Sequence, residues 1–259
     1  FLASPIDETD LPTTIHSVLK WNNSKEELIA QKEERVGTIL LKATKSNNVN
    51  DEEAIKTICK AIASEGNKLL PFSKEVNTWQ SRIMSLAKWN KEENWPNVST
   101  EHLLQTTETW LSPYLSNIRK AKELQKLNLL TILQNSLPYE LAKKTDRLAP
   151  SKIDVPSGSS IKIEYFENGN NPVLAVRLQE VFGLLETPTI NNGLNTVLIH
   201  LLSPGFKPVQ VTSDLHSFWE NTYLQVKKEL KSRYPKHSWP EDPWTAKAVT
   251  GAKRRQPRK

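Results

Sequence analysis

The spacing of apolar residues changes twice along this chain of 259 residues, which argues against a fold made only of helices or only of strands. Strand-like segments occupy residues 1–48, helical spacing follows over 49–149, and both kinds of spacing alternate over 150–243. Side chains repeat every 2 residues on one face of a strand and about every 3.6 residues on one face of a helix. Each change of spacing therefore indicates a change of secondary structure, and the sequence predicts an α+β fold.

The first segment is predicted to be the end of a β-rich unit. Strand-like residues occur at 17–21 and within 28–45, notably at 29–31 and 36–41, and the polar Asn22-Asn23-Ser24 between them indicates a turn. Two or three strands do not make a stable sheet by themselves. We therefore expect partner strands outside this sequence and expect the chain to be part of a longer protein.

Residues 49–149 are predicted to form several helices. Asn50 followed by Glu53 is typical of a helix N-terminus, and Gly66 is typical of the residue after a helix. Further helices are predicted from Ser73, from Ser99, between Lys120 and Gln134, and from Ser136. Trp and Leu recur on these helices at intervals of three or four, so we expect them to form the core.

Residues 150–243 are predicted to mix strands and helices. A strand is expected around Ile163, and helical spacing predicts a helix from Pro172 to Gly183. Ser203-Pro204-Gly205-Phe206 is the strongest hairpin signal in the chain, between predicted strands at 196–202 and 208–212. A long helix is then predicted from Ser213 or Asp214 to about Tyr234, where Pro235 ends it.

Positive charge is concentrated at the end of the sequence. The chain has 35 Lys and Arg against 29 Asp and Glu, a net charge of +6. The last 40 residues hold 11 of the basic and 4 of the acidic residues, so the preceding 219 residues are almost neutral. A localised basic segment attracts phosphates or acidic partners. The same charge also fits a solvated helix followed by a flexible tail, and composition leaves both interpretations open.

The sequence contains none of the short motifs that indicate an enzyme. It has no glycine-rich phosphate loop, no dinucleotide-binding fingerprint, no zinc-protease motif and no hydrolase nucleophile motif. Its five His residues lack metal-ligand spacing, and the single Cys59 excludes an intrachain disulfide and indicates a reducing compartment such as the cytoplasm. Apolar stretches are far shorter than the roughly 18 residues of a membrane span. We predict no catalytic residue, no metal site and no membrane partner.

The C-terminal part resembles a known family. Residues 208–219, P-V-Q-V-T-S-D-L-H-S-F-W, and residues 233–243, R-Y-P-K-H-S-W-P-E-D-P, are similar to the C-terminal signature of the HrpB family of bacterial DEAH-box-type ATP-dependent helicases. Residues 155–161, 172–183 and 201–204 also resemble it. The similarity extends over essentially the whole chain and is weakest in residues 1–48.

The resemblance implies a division of the chain into four parts. Residues 1–48 would be the end of an incomplete OB-like β unit, and residues 49–149 a helical region. Residues 150–243 would form an HrpB-type C-terminal α+β domain with a β-hairpin and a long helix, and residues 244–259 a basic disordered tail. The motor domains of the family, which bind ATP and Mg²⁺, have no counterpart here, so we expect no cofactor in this chain.

The resemblance also implies two alternative functions. The chain is expected to be a non-catalytic accessory region of an ATP-dependent helicase that helps to engage single-stranded RNA or DNA in the cytoplasm. Alternatively, it is a scaffold that docks on the helicase's own motor domains or on another protein and hardly touches nucleic acid. For the first function, the predicted nucleic-acid-binding residues are Lys227, Lys228, Lys231, Arg233, Lys236, Lys253, Arg254 and Arg255.

One segment of this candidate site has a competing structural interpretation. In the segment 233–240, Tyr234 and Trp239 could pack back on the domain, and the basic residues would then only solvate it. Cations that share one exposed face with aromatic rings would favour the first function. Cations that pair with acidic side chains would favour the second.

Overall fold

A computed structural model of the chain describes residues 12–46 and 49–252. Its backbone forms two compact units, each assembled from separate parts of the sequence. Unit 1 takes its residues from Phe1–Val76 and Thr100–Ser136, and unit 2 takes them from Asn77–Ser99 and Leu137–Lys259. Strands and helices occur in the predicted order, so the α+β class is confirmed. The predicted divisions after residues 48, 149 and 243 stay a prediction.

The described residues form helices and strands with the following bounds. The helices are α1 (Asp51–Glu65), α2 (Lys74–Trp89), α3 (Thr100–Gln105), α4 (Thr107–Trp110), α5 (Ala121–Leu124), α6 (Leu129–Ser136), α7 (Tyr139–Leu148), α8 (Leu215–Ser217) and α9 (Tyr223–Arg233). The strands are β1 (Thr14–Asn22), β2 (Glu27–Val36), β3 (Ile39–Lys45), β4 (Lys152–Asp154), β5 (Ser160–Glu164), β6 (Val173–Arg177), β7 (Thr189–Ile190), β8 (Asn195–Thr196), β9 (Leu198–Leu202) and β10 (Pro208–Thr212).

Unit 1 contains a three-stranded antiparallel sheet in the order β1-β2-β3. The predicted turn after Asn22 is confirmed, since Asn22 pairs with Glu27 across it. The predicted continuous strand run over 36–41 is wrong: Gly37, with φ 56°, and Thr38 form a second hairpin turn inside it. Because apolar residues lie on both sides of this short turn, the sequence pattern resembles that of one continuous strand. The OB-like character of this sheet stays a prediction.

The helices of unit 1 follow local sequence signals. The side chain of Asn50 caps α1 by accepting the backbone N–H of Glu52 at 2.9 Å, and Gly66 ends the helix with φ 65°. The two helices predicted from Ser99 and from Lys120 are each split in two. The Thr106 hydroxyl donates to the carbonyl of His102 at 2.7 Å at the first break, and Asn128 caps α6 after the second. Such side-chain bonds to the backbone compete with a continuous helix.

Cys59 is expected to react slowly with thiol reagents while the chain is folded. It lies on the inner face of α1 and is buried, which raises the pKa of its thiol. Because the thiolate is the reactive form, burial lowers both the reactive fraction and its accessibility at neutral pH. Ellman's reagent should label the folded chain much more slowly than the chain in urea, with the native rate still rising above pH 9. Rapid stoichiometric labelling at pH 7 would contradict this burial.

Unit 2 is built around a five-stranded sheet in the order β10-β9-β6-β5-β4. Its central strand corrects the sequence prediction, because Val173–Arg177 is β6 and not part of a helix from Pro172 to Gly183. β6 pairs in parallel with β9 and antiparallel with β5. A short apolar run such as Val-Leu-Ala-Val fits a buried strand and a buried helix equally well. The spacing that predicted a helix combined apolar residues of this strand with apolar residues of the 3₁₀ turn that follows it, Leu178–Glu180.

Helix α2 is fixed to this unit by hydrogen bonds from its polar side chains. Ser85 Oγ donates to the carbonyl of Phe166 at 2.8 Å, and Trp89 Nε1 donates to the carbonyl of Gly169 at 2.7 Å. The predicted apolar stripe of this helix is buried, including Trp79 and Ile83. Trp79 and Leu86 are therefore core residues, as predicted, whereas Trp89 is only half-buried.

The hairpin and the long C-terminal helix of unit 2 are confirmed. β9 and β10 pair antiparallel around the turn that begins at Ser203. The Asp214 side chain caps the following helix by accepting the N–H of Ser217 at 2.9 Å. This helix consists of α8, a π-helical turn at Phe218–Thr222, and α9. Its predicted apolar face is buried throughout: Leu215, Phe218, Trp219, Tyr223, Val226 and Leu230.

The rings of this helix pack around one residue of the core. The ring of Phe182 lies 6.1 Å from Trp219 and 6.0 Å from Tyr223 between centroids. Trp219 Nε1 donates to the carbonyl of Leu184 at 2.8 Å, so its polar atom is satisfied.

None of the helices in the described ranges is both long and apolar enough to span a bilayer.

Candidate nucleic-acid interface

The predicted cationic residues on and after α9 lie in three different environments. Lys227 is buried, whereas Lys228, Lys231, Arg233 and Lys236 are exposed. Arg233 forms an ion pair with Glu229 one turn earlier on the helix, at 3.0 Å. The remaining predicted residues, Lys253, Arg254 and Arg255, lie outside the described residues.

Lys227 holds the returning chain against α9. Its side chain is only 8% exposed, and its amine lies 2.6 Å from a carboxylate oxygen of Glu241. This bond lowers the pKa of the Glu241 carboxyl, as expected for a carboxylate that accepts from an ammonium group. An amine that is buried and paired in this way is not presented to a phosphate of another molecule.

The segment after Pro235 folds back along the helix. The Tyr223 hydroxyl donates to the carbonyl of Pro240 at 2.8 Å, and the Trp239 indole donates to the carbonyl of Tyr234 at 2.8 Å. Trp239 is buried by this arrangement. These contacts match the structural interpretation of Trp239, which packs on the domain. The exposed side chains of Lys231 and Lys236 take no part in them.

The exposed cations of α9 do not share one face. At 3.6 residues per turn, Lys228 and Lys231 are about 60° apart around the helix, with Leu224 between them. Arg233 lies about 140° beyond Lys228. Of the four predicted helix cations, Lys227 and Arg233 pair with acidic side chains and Lys228 and Lys231 do not, within the described part of the chain. This arrangement does not separate the two predicted functions.

The hairpin turn and the end of β6 each contribute one residue that was not predicted as a site residue. Phe206 is 66% exposed and has φ 60°, a left-handed backbone conformation that is unusual for a bulky side chain. The guanidinium carbon of Arg177 lies 4.9 Å from the centroid of its ring. Arg177 Nε also donates to the buried Glu180 carboxylate at 2.6 Å. An aromatic residue directly after Pro-Gly in a hairpin turn is the only sequence signal that could have indicated this pair.

The same turn lies against the segment that comes after α9. The hydroxyls of Ser203 and Tyr234 are 3.4 Å apart, and a methyl group added at Gly205 would come within 2.8 Å of the Tyr234 hydroxyl. The ring of His237 contacts Tyr234 edge-on, with the centroids 6.0 Å apart. Burial and the charge of Arg177 lower the pKa of His237, so this ring is neutral at pH 7.

Residues 244–252, placed in the basic tail by the sequence prediction, make further contacts in unit 2. The N–H of Val249 donates to the carbonyl of Gln179 at 3.0 Å, and the Gln179 side chain donates to the carbonyl of Gly251 at 3.2 Å. Ala248 is buried. Composition did not predict these contacts, since the segment resembles a solvated linker.

No group of three or more metal-ligating side chains occurs among residues 12–46 and 49–252. The expectation that this chain binds no cofactor of its own stays a prediction.

Comparison with known proteins decides the family. Residues 110–243 match the family described as ATP-dependent helicase C-terminal, HrpB_C, and this match covers more than half of the chain. The chain belongs to the HrpB helicase family. The resemblance predicted from residues 208–219 and 233–243 is thereby confirmed.

The HrpB proteins that this chain matches are much longer than the chain itself. The chain is 35% identical over 225 residues to the ATP-dependent RNA helicase HrpB of Escherichia coli (strain K12), covering 87% of this chain and 28% of that protein. It is similar to the crystal structure of the E. coli DExH-box NTPase HrpB, with 34% identity and a TM-score of 0.76 over 92% of this chain and 29% of that one. A structure of the Escherichia coli DEAH/RHA helicase HrpB gives 31% identity and a TM-score of 0.67, covering 91% of this chain and 30% of that one.

The candidate interface lies mostly within the matched part of this HrpB-family chain. The hairpin turn, α9 and the returning segment up to Pro243 fall inside residues 110–243. The three strands of unit 1 precede the matched residues.

Proposed function

We propose that this chain is a non-catalytic accessory region of an HrpB-type helicase that helps to hold single-stranded nucleic acid without sequence preference. The observation that carries the proposal is the set of exposed amines at the end of unit 2, Lys228, Lys231 and Lys236. They make no salt bridge with any residue that the structure describes. Arg233 and the tail residues Lys253, Arg254 and Arg255 extend the proposed contact, whereas Lys227 has a structural role.

Amines of this kind favour contact with phosphates. An exposed ammonium group that lacks a carboxylate partner is available to neutralise a phosphate, and the cations condensed on the nucleic acid are released when it does so. Such contacts position a strand but carry no sequence information. This property suits a helicase, which has to move past every base it meets.

The activity of the whole protein is part of the same proposal. The E. coli relative is an ATP-dependent RNA helicase, and this chain corresponds to 28% of its length. We propose that ATP and Mg²⁺ act in motor domains of the longer cytoplasmic protein, with which this region associates. Single-stranded RNA is the first ligand to test.

A second candidate function is docking on another protein surface. Leu224 is 63% exposed and lies between Lys228 and Lys231 on α9. An exposed leucine flanked by cations would suit a contact with an acidic protein that also has an apolar patch. In that case the lysines would select the partner and the leucine would be buried on binding.

Binding of labelled oligouridylate and oligothymidylate to the chain is expected to weaken steeply as salt is raised. We expect Lys231→Gln to lower the slope of log affinity against log salt by about 1, because one phosphate contact is lost. The same loss is expected for Lys228→Gln and Lys236→Gln. Fluorescence anisotropy over a series of salt concentrations measures both quantities, and a chain ending at residue 252 tests the contribution of the tail.

Two controls make this test specific. Lys143→Gln removes the same charge from an exposed position on α7 and should leave the slope unchanged. Lys227→Met removes a buried amine and should also leave the slope unchanged. No binding at low salt would contradict the proposed function and favour protein docking. Equal effects of Lys231→Gln and Lys143→Gln would show that only net charge matters.

A further inference from the structure

The turn of the β9–β10 hairpin carries an exposed aromatic ring, Phe206, beside the guanidinium of Arg177. We name the residues of this turn and of the segments that meet it the hairpin-tip cluster: Arg177, Phe206, Lys207, Tyr234 and Lys236. The parallel pairing of β6 with β9 places Arg177 opposite Leu202, directly before the turn. The Tyr234 hydroxyl reaches the turn from the end of α9, and Lys236 lies in the tight turn between Tyr234 and His237.

We propose that the hairpin-tip cluster is a stacking site for one unpaired base of single-stranded RNA or DNA. The ring of Phe206 would receive the base, and the amines of Lys207 and Lys236 would contact the neighbouring phosphates. Base stacking on an aromatic side chain tolerates every sequence, since each base has a π-face. This inference rests on the proposed function and adds a base contact to its phosphate contacts.

Phe206 is not explained by the stability of the fold. A phenylalanine that is 66% exposed gains little from burial, and a left-handed φ of 60° is unfavourable for any residue with a large side chain. Gly or Asn would fit the same turn with less strain. A bulky ring at this position therefore costs stability, which is expected where the ring serves a contact with another molecule.

The ring is also held in a defined place. The guanidinium of Arg177 lies over one of its faces at 4.9 Å, and the Glu180 carboxylate accepts from Arg177 Nε at 2.6 Å, which fixes that guanidinium. With two thirds of Phe206 exposed, the opposite face is left open to solvent. A fixed aromatic ring loses little conformational freedom when a base stacks on it, which favours binding.

The charge around the ring favours a nucleic acid over an acidic protein segment. Arg177, Lys207 and Lys236 are cationic, and the Glu180 carboxylate, which is paired with Arg177, is buried. His237 is neutral at pH 7 because its pKa is lowered. A guanidinium beside an exposed ring, with one lysine next in the sequence and another in the segment that meets the turn, suits a strand that alternates phosphates with flat bases.

The substitution Phe206→Asn tests the stacking site, because it removes the ring and relieves the turn. We expect the melting temperature to stay the same or rise, and the affinity of the chain for labelled oligothymidylate to fall by about 5-fold to 100-fold. Binding to an abasic deoxyribose-phosphate oligomer of equal length should change by less than about 2-fold, since it offers no base. Tyr139→Asn is the matched control, since Tyr139 is 75% exposed on α7.

The outcomes separate this inference from the proposed function. If the unaltered chain binds oligothymidylate and Phe206→Asn binds it equally well, the stacking site is wrong and the phosphate contacts stand. A fall in affinity that is equal for the abasic oligomer would also overturn the stacking site. If the unaltered chain binds neither oligomer at low salt, the proposed function itself fails. Phe206→Trp should retain the affinity for oligothymidylate, and a loss there as large as with Asn would contradict stacking.

Discussion

Replacement of Phe182 by alanine is expected to lower the free energy of unfolding of unit 2 by about 3–5 kcal/mol. Phe182 is fully buried, and its ring is in contact with those of Trp219 and Tyr223. The substitution removes the apolar surface of the ring and leaves a cavity that neighbouring rings can fill only in part. The long C-terminal helix would lose the contacts of Trp219 and Tyr223 with this ring.

Urea unfolding followed by tryptophan fluorescence measures this effect, because Trp219 lies beside the substituted ring. Leu224→Ala is the control: Leu224 is exposed on the same helix, and we expect a change of less than about 0.5 kcal/mol. A loss below about 1 kcal/mol for Phe182→Ala would contradict the packing described for unit 2.

Glu180→Ala is expected to lower the free energy of unfolding of unit 2 by about 3 kcal/mol. The Glu180 carboxylate is buried, and it accepts from Arg177 Nε at 2.6 Å and from the Ser157 hydroxyl at 3.1 Å. Without it, the guanidinium of Arg177 would remain mostly buried with no carboxylate partner. Removing one partner of a buried ion pair lowers the free energy of unfolding by more than the intact pair raises it, because the remaining buried charge is left without a partner.

The exposed pair on α9 provides the comparison for this prediction. Glu229→Ala breaks the ion pair with Arg233, and both side chains there are mostly exposed to water. Such pairs contribute roughly 0.3–0.5 kcal/mol. Thermal unfolding of the two variants should therefore differ by several degrees. Equal melting temperatures would show that the Arg177–Glu180 pair is solvated in the same way as the exposed one.

Local signals made most of the helices predictable from the sequence. α1 was predicted at both ends, because a capping Asn50 and a terminating Gly66 act within one turn of the helix. β6 was not predictable in the same way. Its neighbours β5 and β9 come from distant parts of the sequence, and a short apolar run does not reveal whether it packs as a strand or as a helix.

The candidate site was predictable only in part for a similar reason. The charge pattern located the cations of α9, but the burial of Lys227 depends on Glu241, which returns to the helix only after Pro235. Phe206 and Arg177 are 29 positions apart in sequence and meet because β6 and β9 run in parallel. Pairings of this kind come from sheet topology, which spacing along the chain does not show.

The π-helical turn at Phe218–Thr222 determines which side chains of the later turns of the helix face the core. A regular α-helix continued from Leu215 would bring Glu229 and Arg233 within about 40° of the inward direction. The one additional residue accommodated by the wider turn rotates the second half, so that Tyr223 and Leu230 face inward instead. Deleting one residue from this turn would therefore rotate the second half of the helix rather than only shorten it: Glu229 and Arg233 would turn toward the interior, about two to three turns away from the deletion.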